Sequence, residues 1–177
     1  MGRQALSLFD YTCQHCRAVH RLLAKALERY SGRLAILSLP MPLDSACNPL
    51  VERTPDEHAN ACQYARLGLA VFRARPPAFR EFDDWLFASE APPSLDHARA
   101  KGVELIGTQA LERALADPWV NEQIQSSVAL YRANALAADG DTRIPQLMIG
   151  DVVVRGPIGS ADELFHLLER HTSLGGS

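Results

Sequence analysis

Two apolar runs, Gln4 to Phe9 and Leu34 to Leu39, bracket a segment of helical periodicity, and this spacing constrains the fold more than any other feature of the chain. From Gln14 to Tyr30, the residues Val19, Leu22, Leu23, Ala26, Leu27 and Tyr30 recur at helical intervals. Arg17, Arg21, Lys25 and Glu28 fall largely on the other side, so the segment reads as an amphipathic helix with one face toward a core. In the first run Leu6 and Leu8 share a face. Ser31-Gly32 closes the helix, and Pro40 and Pro42 stop the second run. Strand, helix and strand at this separation form a right-handed βαβ unit with parallel strands.

A loop from Met41 to Arg53 follows. Thr54-Pro55-Asp56-Glu57 then combines an N-cap, a proline at the first helical position and a capping glutamate, predicting a helix to about Ala74. Its inward stripe is Cys62, Ala65, Leu69 and Phe72. Pro76-Pro77 separates it from a short helix carrying Phe79, Phe82, Leu86 and Phe87. Ser94 caps another, ending near Gly102, and Thr108 a third, reaching Ala116. Asp117-Pro118 opens a longer helix through about Ala138, with Val120, Ile124, Val128 and Tyr131 inward and Asp139-Gly140 at its end. The runs Arg143 to Ile149 and Val152 to Arg155, joined by Gly150-Asp151, predict a β-hairpin. Ser160-Ala161-Asp162-Glu163 is a capping box for a last helix with Leu164, Leu167 and Leu168. Thr172 to Ser177 reads as a frayed tail.

Between the two apolar runs lies Cys13-Gln14-His15-Cys16, directly after the first strand and on the first turn of the helix. In that setting a Cys-x-x-Cys pair reads as a redox pair. Two thiols on one helical turn close a disulfide with little strain. Cys13 sits where unpaired N–H groups and the helix dipole favour negative charge, and the thiolate is the attacking species in disulfide exchange. Cys16, one turn further in, suits the resolving role. His15, between them, can donate a hydrogen bond or, when protonated, a positive charge to a sulfur anion. The competing reading is a structural or zinc-binding pair. Zinc needs two more ligands, and Cys47, His58 and Cys62 are not spaced as a second close pair. His20, His58, His97, His166 and His171 share no spacing typical of a metal site, so no metal is expected. Cys47 and Cys62 admit three readings: a structural disulfide, a shuttle pair, or two unrelated buried thiols.

Size and charge narrow the classes. The 177 residues make one domain of residues 1–177, with a helical insertion at about 54–116, and suffice for a real core. Hydrophobic residues make up 47% and charged residues 22%, ordinary for a globular chain. A net charge of −3 leaves no electrostatic footprint for nucleic acid, and no apolar run approaches membrane-spanning length. The first predicted strand begins within a few residues of Met1, which leaves no room there for a charged-then-apolar leader. Two placements follow: the cytoplasm, or a periplasmic or other extracytoplasmic site if a leader or membrane segment has been removed.

The order β-α-β, helical insertion, α-β-β-α, with Cys-x-x-Cys after the first strand and Ile144-Pro145 opening the third, resembles the thioredoxin superfamily in its DsbA-like branch. The resemblance covers nearly the whole chain. It is carried by Phe9 to Cys16, by Arg143-Ile144-Pro145, and by Pro42-Leu43-Asp44 through Cys47-Asn48, His58, Ala61-Cys62, Phe82 and Trp85-Leu86-Phe87. The pattern looks like DsbA-type domains found free in the bacterial cell envelope or fused to vitamin K epoxide reductase-like membrane domains. It implies an α/β, thioredoxin-like fold on a mixed four-stranded sheet. It also implies a cis Pro145 facing the cysteines, a disulfide between Cys47 and Cys62, and no cofactor. That disulfide would contribute about 3 kcal/mol. Ile144, whose backbone a cis Pro145 leaves free for a substrate chain, and Gln14 are the expected substrate-contacting positions. One departure matters. The DsbA active site usually has Pro-His between its cysteines and this chain has Gln14-His15, so the redox poise does not carry over unchanged.

The leading expectation is a protein thiol–disulfide oxidoreductase working through Cys13 and Cys16, with His15 and Pro145 at the catalytic centre, running as a dithiol oxidase. Its partners would be protein thiols and a membrane redox protein of the vitamin K epoxide reductase or quinone-linked type. The alternatives are a protein-disulfide reductase and a Cu(I)-binding thioredoxin-like module using the same two sulfurs.

Overall fold

The computed structural model describes residues 4–175. In chain order the elements are β1 (Gln4–Phe9), α1 (Gln14–Arg29), β2 (Ala35–Pro40), a 3₁₀ turn (Asp56–His58), α2 (Ala61–Ala74), α3 (Pro76–Phe87), α4 (Leu95–Ile106), α5 (Thr108–Leu115), α6 (Pro118–Leu136), β3 (Gln146–Ile149), β4 (Val152–Arg155) and α7 (Ala161–His171). The strands form one mixed sheet in the order β2-β1-β3-β4. β1 runs parallel to β2 and antiparallel to β3, which pairs antiparallel with β4.

Side chains alternate across a strand, so each face of the sheet gathers its own core. Ala5, Leu147 and Ile149 face α1 and α7, packing with Val19, Leu23, Ala26, Leu164 and Leu168. Leu8 and Met148 face the other way, toward α2, α3, α6 and the helices between them, where Phe82, Leu86, Leu111 and Ile124 are fully buried. A slip of one residue in β1 would carry Leu8 out of one core and Ala5 out of the other, so burial on both faces pins the register.

Local signals set several boundaries. Ser94, Asp117 and Ser160 accept hydrogen bonds from the first-turn N–H groups of His97, Trp119 and Glu163. Other boundaries differ from expectation. No continuous helix runs from Thr54: the 3₁₀ turn ends, Asn60 takes a left-handed φ of 65°, and α2 starts at Ala61. Thr54 is engaged elsewhere. Its hydroxyl donates to Asp44 Oδ1 at 2.9 Å and accepts from Ser45 N–H at 2.9 Å. Asp44 Oδ2 takes the first-turn Cys62 N–H at 3.1 Å, so a side chain from the preceding loop stands in for the local cap. Cys47 and Cys62 are joined by a disulfide across the same loop.

α4 continues past Gly102 to Ile106, and Gly102 serves packing inside it: it is buried where a Cβ would lie 3.3 Å from Leu111 Cδ2. Gly107, at φ 82°, is the residue that separates α4 from α5, and Thr108 is already helical. α6 stops at Leu136, and β3 starts at Gln146 rather than Arg143. Phe72 is 40% exposed, stacked with Trp119 and edge-on to Phe79 instead of facing the core. The C-terminal segment is packed rather than frayed as far as it is described. Thr172 and Leu174 are buried, and Thr172 Oγ1 donates to Leu168 O at 2.6 Å. Gly176 and Ser177 lie outside the described residues.

Candidate active site

β1 carries the chain to the C-terminal end of this interior strand, where Asp10, Tyr11 and Thr12 turn it into α1. Cys13 is the N-cap of that helix, with extended backbone (φ −80°, ψ 124°), and its Sγ accepts the Cys16 N–H at 3.3 Å. A sulfur thus occupies the place usually taken by a serine or aspartate oxygen, where the free N–H groups of the first turn converge.

The two thiols are made unlike by this placement. Cys13 is lowered from 9.0 to about 7, chiefly because the Cys16 thiol donates to its sulfur; burial opposes this, and the N–H groups of Cys16 and His15 assist. Cys16 is pushed well above the ordinary thiol value, first by burial and then by the neighbouring Cys13 sulfur. Its Sγ meets the Asp10 N–H at 3.5 Å. Gln14 and His15 between them are exposed. Thr12, Cys13, Gln14 and His15 form one wall of an open cleft of about 530 Å³, faced by Glu57 and His58 and by Glu90, Ala91 and Pro92.

Pro145 is brought to the same end of the sheet by strand register. Gln146 pairs with Leu8, so Pro145 and Ile144 run on beside the end of β1, where the Cys13 turn begins. The Ile144–Pro145 bond is cis, and Pro145 O accepts the Gly156 N–H at 2.8 Å. Ile144 is buried, in the same core cluster as Cys13 and Cys16.

Beneath the turn lie polar groups that sequence reasoning missed. The Asp10 carboxylate is buried and accepts the Thr12 N–H at 2.7 Å, the Thr12 hydroxyl at 2.6 Å and the Leu43 N–H at 2.7 Å. Burial raises its titration, and the bonds from Leu43 and Thr12 and the nearby His58 work against that. His58 Nδ1 lies 2.8 Å from Thr12 Oγ1 and 3.6 Å from Asp10 Oδ2. The Thr12 hydroxyl has one proton and gives it to Asp10, so it accepts from His58, and this bonding assigns the Nδ1–H tautomer. No spacing rule relates Asp10 to His58, 48 positions later.

Helical periodicity places Arg17 on the solvent side of α1, and in the fold it is buried. Its Nη1 donates to Leu86 O at 2.8 Å and Ser89 O at 2.9 Å, and its Nη2 to Tyr11 O at 2.6 Å. The guanidinium also lies over the Phe87 ring, 5.3 Å from its centroid. It therefore ties the end of α3 to the turn that carries Cys13. Tyr11, inside this knot, donates its hydroxyl to Asp83 Oδ1 at 2.6 Å. Gly68 makes room for it, since a Cβ there would lie 2.6 Å from the Tyr11 oxygen.

Asp83 is raised from 3.8 to about 6, mainly by burial, with His20 and the Tyr11 bond opposing. A carboxyl raised on folding costs stability wherever it is ionised in the fold, so stability falls as pH rises from about 4 to about 6. Asp83→Asn keeps an acceptor for Tyr11 and is expected to be more stable than the parent by roughly 3 kcal/mol at neutral pH. That advantage should disappear near pH 4. Urea midpoints at the two pH values measure it, and equal midpoints at neutral pH would remove the buried-charge assignment.

No protein-family model matches the chain, and no curated protein does. Solved structures do. ScsC of Proteus mirabilis in a compact conformation aligns with TM-score 0.69 and 19% identity, over 97% of this chain and 84% of its own. The thiol-disulfide exchange protein alpha-DsbA2 from Wolbachia pipientis aligns with TM-score 0.73 and 18% identity, over 96% and 81%. A periplasmic thioredoxin-like protein from Salmonella enterica serovar Typhimurium aligns with TM-score 0.68 and 19% identity, over 96% and 84%. The likeness at these identities is one of fold: the chain has the α/β, thioredoxin-like fold in its DsbA-type form, on a mixed four-stranded sheet.

Proposed function

We propose that the protein is a thiol–disulfide oxidoreductase that exchanges disulfides with protein thiols through Cys13 and Cys16, and that it runs as a dithiol oxidase. One observation carries this: adjacent thiols on one helical turn, one lowered to about 7 and capping the helix, the other buried and raised. In the oxidised pair, a substrate thiolate attacks Cys13 Sγ. A new sulfur–sulfur bond forms, the Cys13–Cys16 bond breaks, and its electron pair leaves on Cys16. A second substrate thiolate then displaces Cys13, which departs as a stable thiolate, so the substrate gains a disulfide and the protein is left reduced. The low Cys13 value stabilises the reduced state and makes the disulfide more oxidising.

The open cleft beside Cys13 supports a polypeptide substrate, with Gln14 and Ile144 as its contacts. The disulfide between Cys47 and Cys62 supports an oxidising compartment in the cell envelope. A membrane redox protein, of the quinone-linked or vitamin K epoxide reductase type, would re-oxidise the pair. Among the described residues no helix is long and apolar enough to cross a membrane, so such a partner is a separate protein or a separate segment.

The test is the reduction potential of the Cys13–Cys16 pair, read by alkylation after equilibration with glutathione. A value of about −200 to −120 mV is expected. A value near −270 mV, typical of thioredoxin, would replace the oxidase by a reductase.

A further inference from the structure

We propose that His58 is a positioning residue for the thiol chemistry, acting on Cys13 and Cys16 through Thr12 and Asp10. This rests on the oxidoreductase reading above and adds a residue to it. The physical link is a continuous hydrogen-bonded chain: His58 Nδ1 to Thr12 Oγ1 at 2.8 Å, and Thr12 Oγ1 to Asp10 Oδ1 at 2.6 Å. One end of the chain, His58, lines the open cleft beside Cys13. The other, Asp10, is buried and touches Cys16 Sγ through its own N–H at 3.5 Å.

The electrostatic consequence follows from the signs. The negative charge of Asp10 opposes thiolate formation at both cysteines. A protonated His58, 3.6 Å from Asp10 Oδ2, cancels part of that charge. When the Cys13–Cys16 bond breaks and the electron pair moves to Cys16, the new charge appears beside Asp10. His58 sets how strongly Asp10 repels it. The other charged groups facing this site are Glu57 next to His58, His15 and Glu90 across the cleft, and Arg17 behind the turn. None of these touches the Asp10 carboxylate.

The test is the ultraviolet thiolate titration of the reduced protein, which needs no substrate and no exchange activity. His58→Gln is expected to move the Cys13 titration upward, cutting its thiolate fraction at neutral pH about threefold at most. Asp10→Asn should move it downward. In the Asp10→Asn background, His58→Gln should have no further effect, because its route to the sulfur is gone. Thr12→Val, which keeps both charges and removes the bridging hydroxyl, should shrink the His58 effect, and it stands in should Asp10→Asn fail to fold. The proposal is overturned by a Cys13 titration unchanged in His58→Gln, or by a His58 effect of full size in both other backgrounds. Absence of disulfide exchange with the titration coupling intact would instead sink the oxidoreductase reading and leave the coupling standing.

Discussion

Cys13→Ala is expected to abolish disulfide exchange, while in Cys16→Ala the Cys13 thiolate attacks a disulfide-bearing substrate, expels one of its sulfurs as a thiolate, and holds the other in a mixed disulfide that it fails to release. The reason is the asymmetry of the two sulfurs. With Cys13 lowered to about 7, roughly half of it is thiolate at neutral pH. Cys16 is raised, so it contributes little thiolate, and although both residues are buried (2% exposed against 6% for Cys13), only Cys13 lines the open cleft. The access of Cys16 is to Cys13, three residues away on the same turn, which is what resolution of a mixed disulfide requires. Alkylation of the reduced protein reads the difference directly: Cys13 should react at least about tenfold faster than Cys16. Non-reducing electrophoresis of the Cys16→Ala protein should show adducts that dithiothreitol removes. Faster alkylation of Cys16 would reverse the two roles.

The second large effect is structural. Arg17→Leu is expected to destabilise the protein by about 3 kcal/mol or more. A buried charge can often be replaced by an apolar group at little cost when its partner is replaced with it. Here the partners are the main-chain carbonyls of Tyr11, Leu86 and Ser89, which no side-chain substitution removes. Those of Tyr11 and Leu86 would be left buried without their donor, at about 1–3 kcal/mol apiece before relaxation, while Ser89, an exposed residue, can turn its carbonyl to water. Arg17→Lys should rescue little, because one ammonium cannot reproduce a planar fork spanning three carbonyls and stacked on Phe87. The lost tie joins α3 to the Cys13 turn, so the alkylation rate of Cys13 should change along with the urea midpoint. A midpoint within error of the parent would mean that water or local rearrangement satisfies those carbonyls.

The sequence by itself determined the sheet-and-helix order. It also located helix starts such as Ser94, Asp117 and Ser160, and the placement of two thiols on the first turn of α1. These rest on interactions spanning a few residues: side-chain periodicity, a cap reaching the N–H groups of its own first turn, a sulfur three residues from another. They are therefore written in the local pattern. The likeness to a known family added the pairing of Cys47 with Cys62, which spacing alone left open.

The tertiary structure alone decided where polar groups go when segments far apart in the chain meet. Helical periodicity put Arg17 with Arg21 and Lys25 on the wet side of α1, because periodicity counts charge and does not know that three carbonyls wait behind the turn. The capping pattern at Thr54 predicted a helix, and Asp44 drew Thr54 and the Cys62 N–H into its own network, leaving a break at Asn60. The His58 ring found Thr12 and Asp10 across the fold. A buried polar group must be satisfied, and whichever segment the fold brings within about 3 Å supplies the partner. That meeting is a property of the packed chain, and no pattern along the sequence records it.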